Sequence, residues 1–174
     1  KLDDDFIKGK KEEILNLLKN HNEIKSIEEY YKINTLITGA IKQGDLELLE
    51  ILLNEEIEVE EGISYKINKT KKTASLFKIE KRMKNFLVPR TIKYEFNDYL
   101  VTSIIGSGEL SPKIIDSIEF DEESSVHTIY ERSFEKSYIE CISIPKSLVE
   151  LKENWSYGAR YLIKIIVSPL NDRF

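Results

Sequence analysis

The residues with the most chemical potential cluster late in the chain. Glu122, Glu123 and Glu131 lie within five positions of His127, and Ser133 and Ser137 follow it. A histidine placed between a carboxylate and a serine is the material of nucleophilic hydrolysis, with the imidazole taking the hydroxyl proton and the acid orienting the ring. The bland reading is a solvated histidine on a turn, and it is the one adopted below. Cys141 offers a thiol, but no His or Asn stands at a spacing that marks a cysteine nucleophile, so a structural thiol is expected. The run Asp121-Glu122-Glu123 carries charge for a cation, yet it lacks the alternate-residue ligands and the glycine of a calcium loop. With one cysteine and two histidines, His21 and His127, the chain can form neither an intrachain disulfide nor a cysteine-rich zinc site. No metal and no other cofactor is expected.

Charge suggests a second chemistry. The net charge of −5 conceals three unlike segments. Residues 1–62 hold 8 Lys against 16 Asp and Glu, residues 63–93 hold 10 Lys and Arg against one Glu, and residues 94–174 hold 8 against 14. The basic island, with Lys66, Lys69, Lys71, Lys72, Lys78, Lys81, Arg82 and Lys84, is the candidate footprint for an anionic partner. Its ordinary role is to guard exposed strand edges or to neutralise the acidic helices that flank it in sequence. No recognised nucleic-acid motif accompanies the charge, so nucleic acid is not the expected partner.

These residues must be positioned by something, and the composition bounds what. A 174-residue chain that is 41% hydrophobic and 33% charged suits one globular domain or two small ones with a real core. No apolar run approaches the roughly 18 residues that span a bilayer. The amino end, Lys1-Leu2-Asp3-Asp4-Asp5, lacks the apolar stretch of a signal peptide. The chain starts without Met, so the compartment is left open, cytoplasm being favoured over a cell surface reached by a removed leader.

The first third reads as helices. Ile7, Ile14, Leu15 and Leu18 fall on one stripe of a helix, and a second helical stretch is expected around Glu23 to Lys32. Ile33, Leu36, Ile37, Ala40 and Ile41 make another apolar face that ends at Gln43-Gly44, where Gly44 suits a C-terminal cap. Asp45 can cap the following helix, whose stripe is Leu48, Leu49, Leu52 and Leu53. Residues 54–62 are acidic, and the boundary of the helical portion is placed at Gly62. Beyond it, Ile63, Tyr65 and Ile67 alternate with polar residues, as do Thr73, Ser75, Phe77 and Ile79, which predicts a β-hairpin around a turn at Asn68 to Lys72.

From Phe86 onward the chain repeats itself with a period of 23 or 24 residues, the range of a solenoid coil. Ile115, Ile118 and Phe120 recur as Ile139, Ile142 and Ile144, then as Leu162, Ile165 and Val167. Apolar pairs follow each strand: Val101 and Ile104, Val126 and Ile129, Leu148 and Leu151. A bulky residue comes next, Leu110, then Phe134, then Trp155 or Tyr157, with a core place favoured for the aromatic of the third coil. Leu87-Val88-Pro89-Arg90-Thr91-Ile92 also parallels Ser143-Ile144-Pro145-Lys146-Ser147-Leu148. One strand cannot bury three inward residues alone, whereas stacked coils pair their backbones and join their cores.

Two resemblances follow from these residues. Leu36 to Leu53 looks like the helix pair of an ankyrin repeat, although the Thr-Pro-Leu-His opening is missing. Residues 63–174, through the hairpin, Val88-Pro89-Arg90-Thr91-Ile92, Tyr99-Leu100-Val101-Thr102-Ser103-Ile104 and Ile142-Ser143-Ile144-Pro145-Lys146-Ser147-Leu148, resemble the BspA-like leucine-rich-repeat proteins. That resemblance implies binding of other proteins through the stacked strands.

The expected molecule is therefore α+β: an ankyrin-like helical portion at 1–62, then a hairpin cap and a leucine-rich-repeat solenoid at 63–174. It is expected to be a non-enzymatic protein-binding module. Outward strand residues should form two columns, Ser117, Cys141 and Lys164 in one and Glu119, Ser143 and Ile166 in the other. The alternative is an anion or nucleic-acid site at Lys69, Lys71, Lys72, Lys81 and Arg82. Leu162, Ile165 and Val167 are expected at an uncapped solenoid end, covered by further repeats or by self-association.

Overall fold

The structure is a computed structural model that describes residues 4–20, 27, 35–106 and 115–174. It divides into two compact units, Lys1–Asn54 and Glu55–Phe174.

The first unit is helical: α1 spans Asp4–Asn20, α2 Thr35–Gln43 and α3 Leu46–Leu53. The periodic leucines and isoleucines do what their spacing requires, with Ile14 and Leu18 of α1, Ile37, Ala40 and Ile41 of α2, and Leu49 and Leu52 of α3 all buried. Between α2 and α3 the chain turns at Gly44, whose φ of 64° is open to glycine without a Cβ penalty. Its amide bonds to the Ile41 carbonyl and the Asp45 amide to the Ala40 carbonyl, a Schellman closure. The Asp45 carboxylate then accepts from the Leu48 amide at 2.9 Å and starts α3. The lone hairpin covers its apolar face with α1, which packs on both helices. The helical stretch at 23–32 lies outside the described residues except for Ile27, which is helical and buried, and so does the anchor Leu110.

The described residues of the second unit form strands and turns. Its strands are β1 Glu55–Glu60, β2 Ile63–Asn68, β3 Thr73–Ile79, β4 Asn85–Val88, β5 Thr91–Tyr94, β6 Asn97–Ile104, β7 Ser117–Phe120, β8 Thr128–Ile129, β9 Cys141–Ile144, β10 Glu150–Leu151 and β11 Lys164–Val167. They form two sheets. One runs β1-β2-β3-β6-β8-β10 with β5 beside β6, and the other runs β11-β9-β7-β4. Every pair in the second sheet is parallel, as are β3 with β6, β6 with β8 and β8 with β10. The coils of β7–β8 and β9–β10 thus contribute one strand to each sheet, and the fold class is α+β with a solenoid.

The repeat anchors stack in register. Phe86 lies beside Ile118, Ile118 beside Ile142, and Ile142 beside Ile165. In the other sheet Ile104 lies beside Ile129, and Ile129 beside Leu151. Phe86, Ile118, Ile142, Ile104 and Ile129 are buried in one continuous core, where each contributes roughly 1.5–3 kcal/mol of transfer free energy. Of the two aromatics of the third coil, Trp155 takes the core place, edge-on to Phe134 with ring centres 5.9 Å apart, while Tyr157 is exposed under the Arg132 guanidinium. At the sheet edge, Ile165 and Val167 are exposed and Leu162 is half-buried.

Two local readings need correction. The unit boundary falls after Asn54 rather than at Gly62, because the acidic segment is strand β1, paired antiparallel to β2. In β3 the buried face carries Ala74 and Leu76 together with Ile79, not Thr73 and Phe77. A bulge at Phe77, opposite Ser64 and Tyr65, switches the strand's faces between Leu76 and Lys78. Lysines of the basic island pair with carboxylates of β1, as the ion pairs below show.

Candidate functional site

The second sheet fixes where the outward strand residues stand. Ser117 is the register partner of Cys141, and Cys141 that of Lys164, so the first expected column exists. Asn85 extends it on β4, and the Ser117 hydroxyl donates to the Asn85 side-chain carbonyl at 2.9 Å. In the second column Leu87 is beside Glu119, and Ser143 beside Ile166. Leu87, Glu119, Lys164 and Ile166 are exposed, and Ser117, Cys141 and Ser143 are half-buried. Asn85 and Leu87 were not among the expected site residues. The parallel between Leu87-Val88-Pro89 and Ser143-Ile144-Pro145 carried the signal, since it puts Leu87 in the place of Ser143 and Asn85 in that of Cys141.

Beyond the carboxyl ends of these strands, the turns of three coils enclose an open cleft of about 440 Å³, lined by residues 120–123, 143–146 and 166–170. Its apolar members include Phe120, Ile166, Val167 and Leu170, the last 75% exposed. Three acids follow Phe120. The Asp121 carboxylate accepts from the Glu123 amide at 2.8 Å, and Glu123 pairs with Lys146 of the next turn at 3.0 Å. Asn171 pins the segment after β11 to this region: its side-chain amide donates to the Pro145 and Leu148 carbonyls, and its oxygen accepts from the Arg173 and Phe174 amides. The cleft was not legible in the sequence, because the residues that complete it, the acids at 121–123 and the segment 168–170, lie outside the repeat anchors.

The candidate hydrolytic residues His127, Ser133 and Ser137 each have a local setting of their own. The His127 ring makes its side-chain hydrogen bond to the neighbouring Thr128 hydroxyl, at 2.9 Å. Ser133 donates to the main-chain carbonyls of Tyr130 and Ile104, and the Ser137 side chain is buried. Among the described residues no three His, Cys, Asp or Glu side chains converge as a metal-ligand set.

Four lysines of the basic island pair with carboxylates of their own unit, among them Lys78 with Glu80 at 3.7 Å. Lys69 pairs with Glu55 at 2.8 Å and with Glu95 at 3.6 Å, Lys66 with Glu56 at 3.8 Å, and Lys81 with Glu60. Hydrogen bonding to Glu55 raises the Lys69 pKa, and Glu60 does the same for Lys81. Burial lowers that of Lys66, partly offset by Glu56. Lys66, Lys69 and Lys72 also lie over the rings of Phe77, Tyr94 and Tyr99, and Lys72 donates to Asn97. Lys71 and Arg82 are exposed. The cross-strand pairing explains why so acidic a sequence as Glu55 to Glu60 forms a strand at all.

No family model matches this chain, and no curated protein matches it. Among solved structures it is similar to the crystal structure of the pneumococcal vaccine antigen PcpA, with 18% identity and a TM-score of 0.43 over 67% of this chain and 39% of that one. The chain thus spans well under half the length of the protein it matches. Among the described residues no helix is long and apolar enough to cross a membrane.

Proposed function

We propose that this chain is a non-enzymatic protein-recognition module of the BspA-like leucine-rich-repeat kind, preceded by an ankyrin-like helix pair, and that it binds a protein partner with the outward face of β4, β7, β9 and β11. The observation that carries the reading is the column register. Asn85, Ser117, Cys141 and Lys164 follow one another across four parallel strands while Phe86, Ile118 and Ile142 between the columns are buried. Parallel stacking holds these side chains at the inter-strand spacing of about 4.8 Å on a rigid support, which lowers the ordering cost of binding. Small, apolar and charged groups alternate on this face, a composition suited to recognition and not to a catalytic constellation.

The test is affinity capture with the whole chain and two surface variants. A partner bound by the parent, lost with Ser117→Arg and Ser143→Arg, and kept with Lys93→Glu on β5 supports the strand face. A partner lost only with the β5 variant overturns it. Of the cations on which the anion-binding alternative rests, Lys69 and Lys81 pair with carboxylates and Lys72 lies over the Tyr99 ring, while Lys71 and Arg82 are exposed. A low-salt polyanion titration of the parent and of the Lys69, Lys71 and Lys72 alanine variants decides it, and steep salt-dependent binding lost in those variants would promote it.

A further inference from the structure

Building on the strand-face reading, we propose that the cleft beyond β7, β9 and β11 takes an extended protein segment that inserts one apolar side chain and carries Lys or Arg beside it. Three independent features of the cleft converge on that occupant. Its wall is apolar where solvent reaches it: Ile166, Val167 and Leu170 are 43%, 37% and 75% exposed, and with Phe120 they line a space of about 440 Å³. A hydrophobic concavity of this kind gains free energy when an apolar side chain displaces its water.

Its rim is acidic. Asp121, Glu122 and Glu123 line the cleft against one cation, Lys146, whose charge is engaged by Glu123. Glu122 is exposed and makes no ion pair among the described residues. Glu119 adds a further exposed carboxylate on the adjoining column. An acidic partner would meet this rim with like charge, whereas Lys or Arg beside the inserted side chain is steered in and discriminated for. An anionic lipid surface is disfavoured by the same charges.

Its span suits an extended backbone. The lining turns belong to three successive coils, so the cleft crosses two inter-strand spacings, about 10 Å in all. Three extended residues cover that length, and their alternation sends one side chain in while its neighbours point toward the rim. The Ser143 and Ile166 positions belong to both the second column and the cleft lining. One partner segment can therefore run from the strand face into the cleft.

The probes are three acetylated, amidated pentapeptides, Lys-Thr-Leu-Thr-Lys, Lys-Thr-Gly-Thr-Lys and Glu-Thr-Leu-Thr-Glu, titrated into the isotope-labelled chain and followed by amide chemical shifts. The first is expected to perturb residues 120–123 and 166–170 and to bind about tenfold more tightly than either control. Glu122→Lys should weaken the first peptide about fivefold and strengthen the third, an exchange that a folding defect cannot produce. Leu170→Ser should weaken both leucine peptides. Equal binding of the glycine peptide, equal binding of the acidic peptide, or no response at the cleft overturns the proposal. Shifts confined to Ser117, Cys141 and Lys164 overturn the cleft while leaving the strand face standing.

Discussion

Ile118 and Ile142, 24 residues apart in the chain, stand side by side across the parallel strands β7 and β9, and each is 1% exposed. Ile165, the next member of that column, is 51% exposed because no described strand follows β11 on that side. The same repeat position therefore has two different energetic weights. Ile142→Ala removes buried methyl groups and leaves a cavity between coils, at a cost of about 2–5 kcal/mol, whereas Ile165→Ala should cost about 1 kcal/mol or less. Urea unfolding followed by Trp155 fluorescence measures both. Equal losses would show that the column is not the core of the unit.

The second prediction concerns hydroxyls inside the first sheet. Ser75 and Ser103 are register partners on β3 and β6, both are buried, and their hydroxyl oxygens lie 2.6 Å apart. Either single alanine variant leaves one hydroxyl without this partner, costing about 1–3 kcal/mol. Removing both should cost less than the sum of the singles, since nothing is then left unsatisfied. Additive losses in a double-mutant cycle would mean that the bond contributes no coupling.

The solenoid was legible because its anchors carry their own period: bulky apolar residues at fixed offsets can be satisfied only by stacking. The columns followed from the anchors, as residues between two inward side chains must point out. Strand β1 was hidden because Glu-rich sequence has low β propensity, and its pairing depends on lysines that are distant neighbours in the chain. The face of β3 was misread because a bulge shifts the alternation without any glycine or proline to mark it. Nor did the tight turns advertise themselves. Arg132 and Lys136 in one coil and Asn154 and Gly158 in the next all have positive φ, yet only one of the four is glycine. Their cost is offset by inter-coil hydrogen bonds, among them the Arg132 amide to the Asn154 carbonyl and the Lys136 amide to the Tyr157 carbonyl.

Alkaline pH should destabilise the second unit through Tyr65. Burial holds its phenol well above the usual value, and Glu60 acts in the same direction. In the unfolded chain a tyrosine loses its proton near about pH 10, so above that pH the unfolded state binds fewer protons than the folded one. Stability then falls as pH rises, by about 1.4 kcal/mol per pH unit until the folded group also ionises. Lys66 acts oppositely: its folded pKa is lowered by burial, so stability rises with pH between that value and the unfolded one near about 10.4. Tyr65→Phe leaves the lysine in place and isolates the phenol. Its stability should match the parent at neutral pH and exceed it above pH 10, and parallel alkaline limbs for the two proteins would refute the assignment.

The last prediction sets two glycines against each other. Gly106 follows β6 and is buried, and a Cβ there would overlap the carbonyl group of Arg132 and the Cα of Ser133 in the adjacent coil. That backbone cannot easily retreat. The Arg132 amide is bonded to Asn154, the Ser133 amide to Tyr130, and the Ser133 hydroxyl to Ile104 on the strand that leads into Gly106. Gly106→Ala must therefore push two coils apart or break these bonds, and should cost about 3 kcal/mol or more. Gly39, inside α2, has nothing within 4 Å of its prospective Cβ. Alanine there gains up to about 1 kcal/mol of helix propensity with no steric penalty. Trp155 fluorescence reports the first substitution and far-ultraviolet circular dichroism the second. A stable Gly106→Ala variant with unchanged fluorescence would show that the coils are not in the close backbone contact described, whatever the second variant does.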